Sequence, residues 1–228
     1  MENEWIGISV SDRNGDRART LGDVVTRELR EAIIRGKLRP GQPLWQDRLA
    51  EQFSVSRVPI RESLRQLAAE GLVTLKSHRS AVVAELTQDE IDEIYAMITS
   101  LEVLAAHRGV ARLTDEDLAR MTELLDRMRK TLDEPIDWYL LSAEFHRVLI
   151  TASGWMRLVR TVDFCRKNVM RYVNSRSLFQ SQIQAWNDRN AALLEACKAR
   201  DTDQVQAIIE QMGEKASGAV IDYLKKIT

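Results

Sequence analysis

Arg57, Arg61 and Arg65 recur every fourth residue in a stretch that also offers Val58, Ile60, Leu64, Leu67 and Ala68 to a core. In a helix of about 3.6 residues per turn this spacing rotates each arginine only about 40° from the last, so a basic stripe backs onto an apolar one. What flanks that helix narrows the choice of fold. Before it, Gln46 to Phe53 predicts a short helix closed by Ser54-Val55-Ser56, and Glu70-Gly71 ends the basic helix. After it, Leu72-Val73-Thr74-Leu75 and Ala81-Val82-Val83 are β-prone runs around a polar tip, Lys76 to Ser80, and predict a hairpin.

Upstream, Leu21, Val24, Val25, Leu29, Ile33 and Ile34 follow a helical period over Thr20 to Arg35, with Gly36 as its stop. Leu38 to Leu44 carries two prolines and a glycine and predicts a turn-rich connector. Three helices followed by a hairpin make a winged helix-turn-helix.

From Thr87 the pattern changes to helices alone. Thr87 and Glu90 form a capping-box signature, and breaks near Leu113, Pro135, Gly154 and Asp201 predict helices at about 87–112, 114–131, 136–153, 155–177, 181–199 and 202–226. The expected fold is therefore mostly α, a winged helix-turn-helix followed by an all-α antiparallel helical bundle. Its parts are a polar extension over 1–19, a DNA-binding domain over 20–85 and a helical domain over 86–228.

Charge bears on function only locally. The whole chain carries −1, so its surface as a whole is no trap for nucleic acid. Residues 57–79, however, hold five Lys/Arg against two Asp/Glu, the local excess that phosphate binding requires. Guanidinium groups both neutralise phosphates and donate paired hydrogen bonds to guanine in the major groove. An isolated arginine stripe usually just solvates a helix face; the order of elements around this one turns the reading toward DNA.

Several classes of function are disfavoured. No apolar run approaches the roughly 20 residues of a membrane span, and the polar start lacks a secretory signal, so a cytoplasmic protein is expected. Cys165 and Cys197 stand far apart and read as reduced, buried side chains. No phosphate-cradling glycine loop, Gly-x-Ser-x-Gly elbow or His-Glu-x-x-His motif appears, so no enzyme is expected.

The run from Leu44 to Val83, with Leu49-Ala50, Val55-Ser56-Arg57, Pro59-Ile60-Arg61-Glu62 and Glu70-Gly71-Leu72-Val73, resembles the GntR-family winged helix-turn-helix. The resemblance implies DNA contacts from Ser56, Arg57 and Arg61 and from the wing residues His78 and Arg79, with Arg65 beside them. Ser80 departs from the glycine usual at that point of the wing. Residues 87–226 resemble the FCD domain of the FadR-like branch through Leu101-Glu102, Phe145-His146, Leu194-Glu195-Ala196 and Arg200-Asp201.

That second resemblance implies a homodimer on operator DNA and a small-molecule effector in the helical domain. Many such domains hold a metal on an Asp and three His. The matching positions here are Ser142, His146, Asn190 and Met212, which cannot make that site, so neither metal nor other cofactor is expected. Ile98 likewise replaces an arginine associated with anionic effectors. The candidate effector pocket is Ser142, His146, Arg171, Trp186, Asn187, Asn190 and Met212, for a partly apolar ligand. Two alternatives stay open: a repacked core with His146 bonded internally, in a domain that only scaffolds a dimer, and Trp138, Trp155 and Trp186 serving packing rather than a cavity.

Overall fold

The computed structural model describes residues 20–77, 80–173 and 182–227, and leaves the side chains of Ser77, Arg171, Val173, Lys226 and Ile227 undescribed. The expected 1–19 extension, His78 and Arg79 lie outside the described residues. The chain forms two compact units, 1–85 and 86–228.

In the first unit, helix α1 spans Leu21–Ile34. Thr20 caps it: its hydroxyl accepts from the Asp23 amide, and the Asp23 carboxylate accepts from the Thr20 amide in return. Gly36, at φ 69°, ends it in a conformation that side chains with a Cβ resist. Strand β1 (Pro43–Trp45) leads into α2 (Gln46–Phe53), and α3 (Arg57–Ala69) follows after a tight turn. Strands β2 (Val73–Ser77) and β3 (Ser80–Val83) complete an antiparallel sheet ordered β1-β3-β2, with Leu44 opposite Ala81 and Val73 opposite Val83.

The expected hairpin forms from β2 and β3, and the connector expected to be a turn adds a third strand at its end, which pairs with β3 and seats Leu44 in the core. Leu29, Ile33, Leu38, Leu44, Leu49, Phe53, Ile60, Leu64, Leu67 and Leu72 form that core. Two expected core residues are on the surface instead, Leu21 at 58% and Val58 at 51% exposure. Each lies in the first turn of its helix, short of the stripe the core covers. Ser63 sits between the helices, its hydroxyl donating to the carbonyls of Gly22 and Pro59 at 2.9 and 2.7 Å. Arg30 then clamps Glu70 through Nε and Nη2, at 2.7 and 2.6 Å.

The second unit is helical among its described residues: α4 (Gln88–Gly109) with a 3₁₀ turn to Arg112, α5 (Asp115–Lys130), α6 (Pro135–Ala152), α7 (Met156–Val173), α8 (Ile183–Lys198) and α9 (Thr202–Ile227). Thr87 and Thr114 cap α4 and α5 with reciprocal boxes, and Pro135 opens α6, where its missing N–H costs nothing. Helix α4 packs against α6, α7 and α9. The chain's reversals are held by arginines on orphan carbonyls. Arg108 and Arg112 donate to Ser153 O at 2.8 and 3.1 Å, and Arg200 donates to Val110 O and Leu113 O at 2.5 and 2.6 Å.

Cys165 and Cys197 are buried free thiols, as expected, and burial pushes Cys197 up to about 12. No helix among the described residues is long and apolar enough to cross a membrane.

Gly109 lets α4 meet α6 backbone to backbone, since a Cβ there would lie 2.8 Å from Leu149 O and 3.2 Å from Ser153 N. Gly109→Ala should therefore destabilise the helical unit by about 1–3 kcal/mol, the usual cost of overpacking. Urea unfolding would check this, and an unchanged midpoint would show that the helices slide apart freely.

Candidate functional site

In the first unit, α2, a turn and α3 are built by local chemistry. Ser54 closes α2 in the left-handed region at φ 53°, its amide bonded back to Glu51 O at 3.1 Å, and Ser56 starts α3 from extended backbone. Ile60, Ser63, Leu64 and Leu67 turn inward, which leaves Arg61 and Arg65 exposed along the flank beside them and Ser56 and Arg57 exposed at the start of the helix. Arg61 and Arg65 make no hydrogen bond or ion pair with the described residues, whereas the Arg57 Nε is paired with the Asp47 carboxylate of α2. Exposed Lys76 lies on β2, the strand leading to the undescribed wing tip. The arrangement offers a row of guanidinium groups starting at the N-terminal end of an exposed helix, the end that reads bases in this geometry.

The second unit holds a partly open cavity of about 80 Å³ between α4, α6, α7, α8 and α9. Such a space holds a small molecule or a few waters. Ile98, Ile209, Met212, Ala216, Ala219 and Val220 give it apolar walls, with Trp138 and Trp186 beside them. Both tryptophans are also tied to buried asparagines: Trp138 Nε1 donates to Asn187 Oδ1 at 2.9 Å, and Asn190 Nδ2 donates to Trp186 O at 3.0 Å.

The polar side of the cavity is an ionic network. Glu102, 3% exposed, accepts from Arg166 through Nε at 3.2 Å and through Nη2, and lies 3.0 Å from His146 Nδ1. Burial alone would raise the carboxyl, but the charge of Arg166 and the bonds from both partners hold it down at about 2. An ionised carboxylate can only accept, so His146 Nδ1 carries the shared proton and Nε2 is left over. The buried Tyr139 hydroxyl lies beside the Arg166 guanidinium of this network but makes no well-formed hydrogen bond; burial pushes its phenol up against the pull of Arg166, so it stays protonated. Tyr95 is driven the same way by burial.

Of the pocket residues expected from sequence, Ser142, His146, Trp186 and Met212 line the cavity. Asn187 and Asn190 are buried behind the lining: Asn187 holds the Trp138 indole, whereas Asn190 bonds the Trp186 backbone carbonyl of its own helix. The Arg171 side chain lies outside the described residues. Trp155 is 41% exposed and stacks beneath Arg108, away from the lining.

Glu102, Tyr139 and Arg166 are among the cavity residues that sequence reasoning missed. Their signal was present: Glu102 falls in phase with Ile91, Tyr95, Ile98 and Ala105 on α4, and Arg166 with Val159, Val162 and Val169 on α7. Opposite charges at core positions of two helices can be sustained only by pairing.

A divalent metal does not suit these residues. His146 Nε2 is a single imidazole donor, Ser142, Asn190 and Met212 supply no anionic or imidazole ligand beside it, and no three His, Cys, Asp or Glu side chains converge among the described residues.

Residues 21–83 match the family described as bacterial regulatory proteins, gntR family, and residues 93–214 match the FCD domain. The chain is similar to the HTH-type transcriptional repressor GlaR of Escherichia coli (strain K12), 27% identical over 81% of this chain and 89% of that protein. It also resembles the uncharacterized HTH-type transcriptional regulator YdhC of Bacillus subtilis (strain 168), 29% identical over 64% of this chain and 63% of that protein. Among solved structures, E. coli McbR/YncC shares the fold with a TM-score of 0.77 at 21% identity, over 90% of this chain and 99% of that one.

Proposed function

The chain belongs to the GntR family of bacterial regulatory proteins, with an FCD domain behind its winged helix-turn-helix, and from that premise we propose that it is a repressor that binds its operator as a homodimer and answers to a small effector held without a metal. The relatives named above are transcriptional regulators rather than enzymes, and GlaR is named a repressor. The observation that carries the DNA-reading part is the exposed row Ser56, Arg57, Arg61 and Arg65 on α3, backed by a fully buried stripe. The wing residues His78 and Arg79 belong to the same proposed surface, and cytoplasmic residence follows from its partner.

Support for the effector is the cavity itself. A domain that only scaffolds a dimer has no need of a buried ion pair and a Tyr139 hydroxyl without a well-formed hydrogen bond around a cavity. Cavity occupancy is proposed to change operator affinity through its different strength of binding to the two states of the protein. Ser142, His146, Trp186 and Met212 would touch the effector, with Asn187 holding the Trp138 indole, Asn190 buried behind Trp186 and Arg171 at the end of α7.

Support for the homodimer is an apolar face on α4 and α7. Ile94, Met97, Leu101 and Leu104 repeat at helical spacing, with Met97 and Leu104 at 40% and 48% exposure, and Phe164 on the adjoining α7 is 46% exposed. A cluster of large apolar side chains on a water-facing surface marks an interface. Selection from random duplexes should thus recover an inverted repeat. The double substitution Leu104→Glu, Phe164→Glu should give a monomer in sedimentation that retains only weak half-site binding. A dimer surviving both changes would place the interface elsewhere.

A further inference from the structure

The charges facing the cavity cancel among themselves. Its charged lining residues are Glu102 and Arg166, and these two are bonded to each other while His146 Nδ1 takes the second carboxylate oxygen. What stays available to a ligand is the Tyr139 hydroxyl, buried beside Arg166 with no well-formed hydrogen bond, together with Ser142 and His146 Nε2, and the hydroxyl-bearing Tyr95 and Thr99 share the lining. The remainder is a wall of aliphatic and indole surface.

An entering carboxylate would leave water for a site where the one guanidinium is already matched, and it would face the Glu102 anion. An ammonium or amidinium would face Arg166 across a carboxylate whose two oxygens are both in use. Either ion would bring a net charge into surroundings that solvate it poorly. A neutral amide, alcohol or phenol brings no net charge, and its carbonyl or hydroxyl satisfies the group that is otherwise left unpaired.

We propose that the cavity selects a small uncharged molecule with an apolar body and one carbonyl or hydroxyl head, bound by Tyr139, Ser142 and His146, and that the Glu102–Arg166 pair rejects carboxylates and amines. This rests on the effector reading above and narrows it to a ligand class.

Benzamide, benzoate and benzamidine have nearly the same shape and carry zero, negative and positive charge, so they separate charge from fit. Each would be titrated into the full-length protein by calorimetry and thermal shift at about pH 8, where imidazoles are ordinarily uncharged. Acetamide, acetate and acetamidine would form a smaller set. The expected result is saturable binding of an amide, at least about ten-fold tighter than its two charged counterparts. Benzoate or benzamidine binding as well as benzamide would overturn the ligand class and leave the effector reading standing. Silence of all six would overturn both.

A second test changes the charge of the wall. Glu102→Gln leaves the Arg166 cation unmatched, so the preference should invert toward benzoate; a cavity that sorted ligands by shape alone would keep its order. If this variant does not fold, the wild-type comparison decides by itself.

Discussion

Alanine at Arg57 or at Arg61 is expected to remove specific operator binding while leaving the fold untouched. Both side chains are exposed, Arg57 in the first turn of α3 and Arg61 on the flank of its buried stripe, and neither belongs to the core, so their loss disturbs no core contact. A bidentate guanidinium–guanine contact is worth about 1–3 kcal/mol of discrimination. A symmetric dimer loses that contact twice, so operator affinity should fall by about 100-fold or more. Arg65, two turns further from the N-terminal end of α3, is placed for phosphate: Arg65→Ala should weaken all duplexes alike and flatten the salt dependence by about one unit per site.

The Arg57–Asp47 pair does not alter the sign of this expectation. Both side chains are about 60% exposed, at 63% and 60%, and an ion pair in that setting contributes little to stability. Fluorescence anisotropy with operator and scrambled duplexes over a range of salt would separate the two behaviours. If Arg57→Ala bound both duplexes as the parent does, the reading face would have to lie off α3.

How far these features could be read beforehand depended on the length of the signal. Long amphipathic runs with reciprocal caps at Thr20, Thr87 and Thr114 set the helices to within a few residues, because each cap satisfies amides that the helix itself cannot. Strand β1 escaped notice because three residues, one of them Pro43, are too few to show a period, and pairing with β3 rather than any local preference makes them a strand. Val58 is apolar yet exposed at 51% beside the arginines, since its place in the first turn of α3 precedes the buried stripe. The cavity's polar side was legible in the helical phase of Glu102 and Arg166 but not in their pairing. A single Glu or Arg in a helix is ordinarily a solvent-facing residue, and only the meeting of α4 with α7 makes Glu102 and Arg166 partners.

That pair leads to the largest expected stability effect. Glu102→Ala would leave the Arg166 guanidinium, whose side chain is 14% exposed, without its counter-charge, and would free His146 Nδ1 as well. Breaking a buried ion pair from one side costs about 3–5 kcal/mol, whereas replacing both members with apolar residues of similar volume is often neutral. Glu102→Leu combined with Arg166→Met should therefore be much more stable than Glu102→Ala alone, in a non-additive double-mutant cycle. Acid titration distinguishes this from lost packing. Because the folded carboxyl is held at about 2 against an ordinary 4.5, its contribution is fully present above the ordinary value and drains away as pH falls toward 2. Urea unfolding from neutral pH downward should show the parent losing stability over that interval, while the Leu/Met protein lacks that component of the acid limb. Parallel acid limbs in the two proteins would mean that Glu102 and Arg166 do not hold each other in the folded chain.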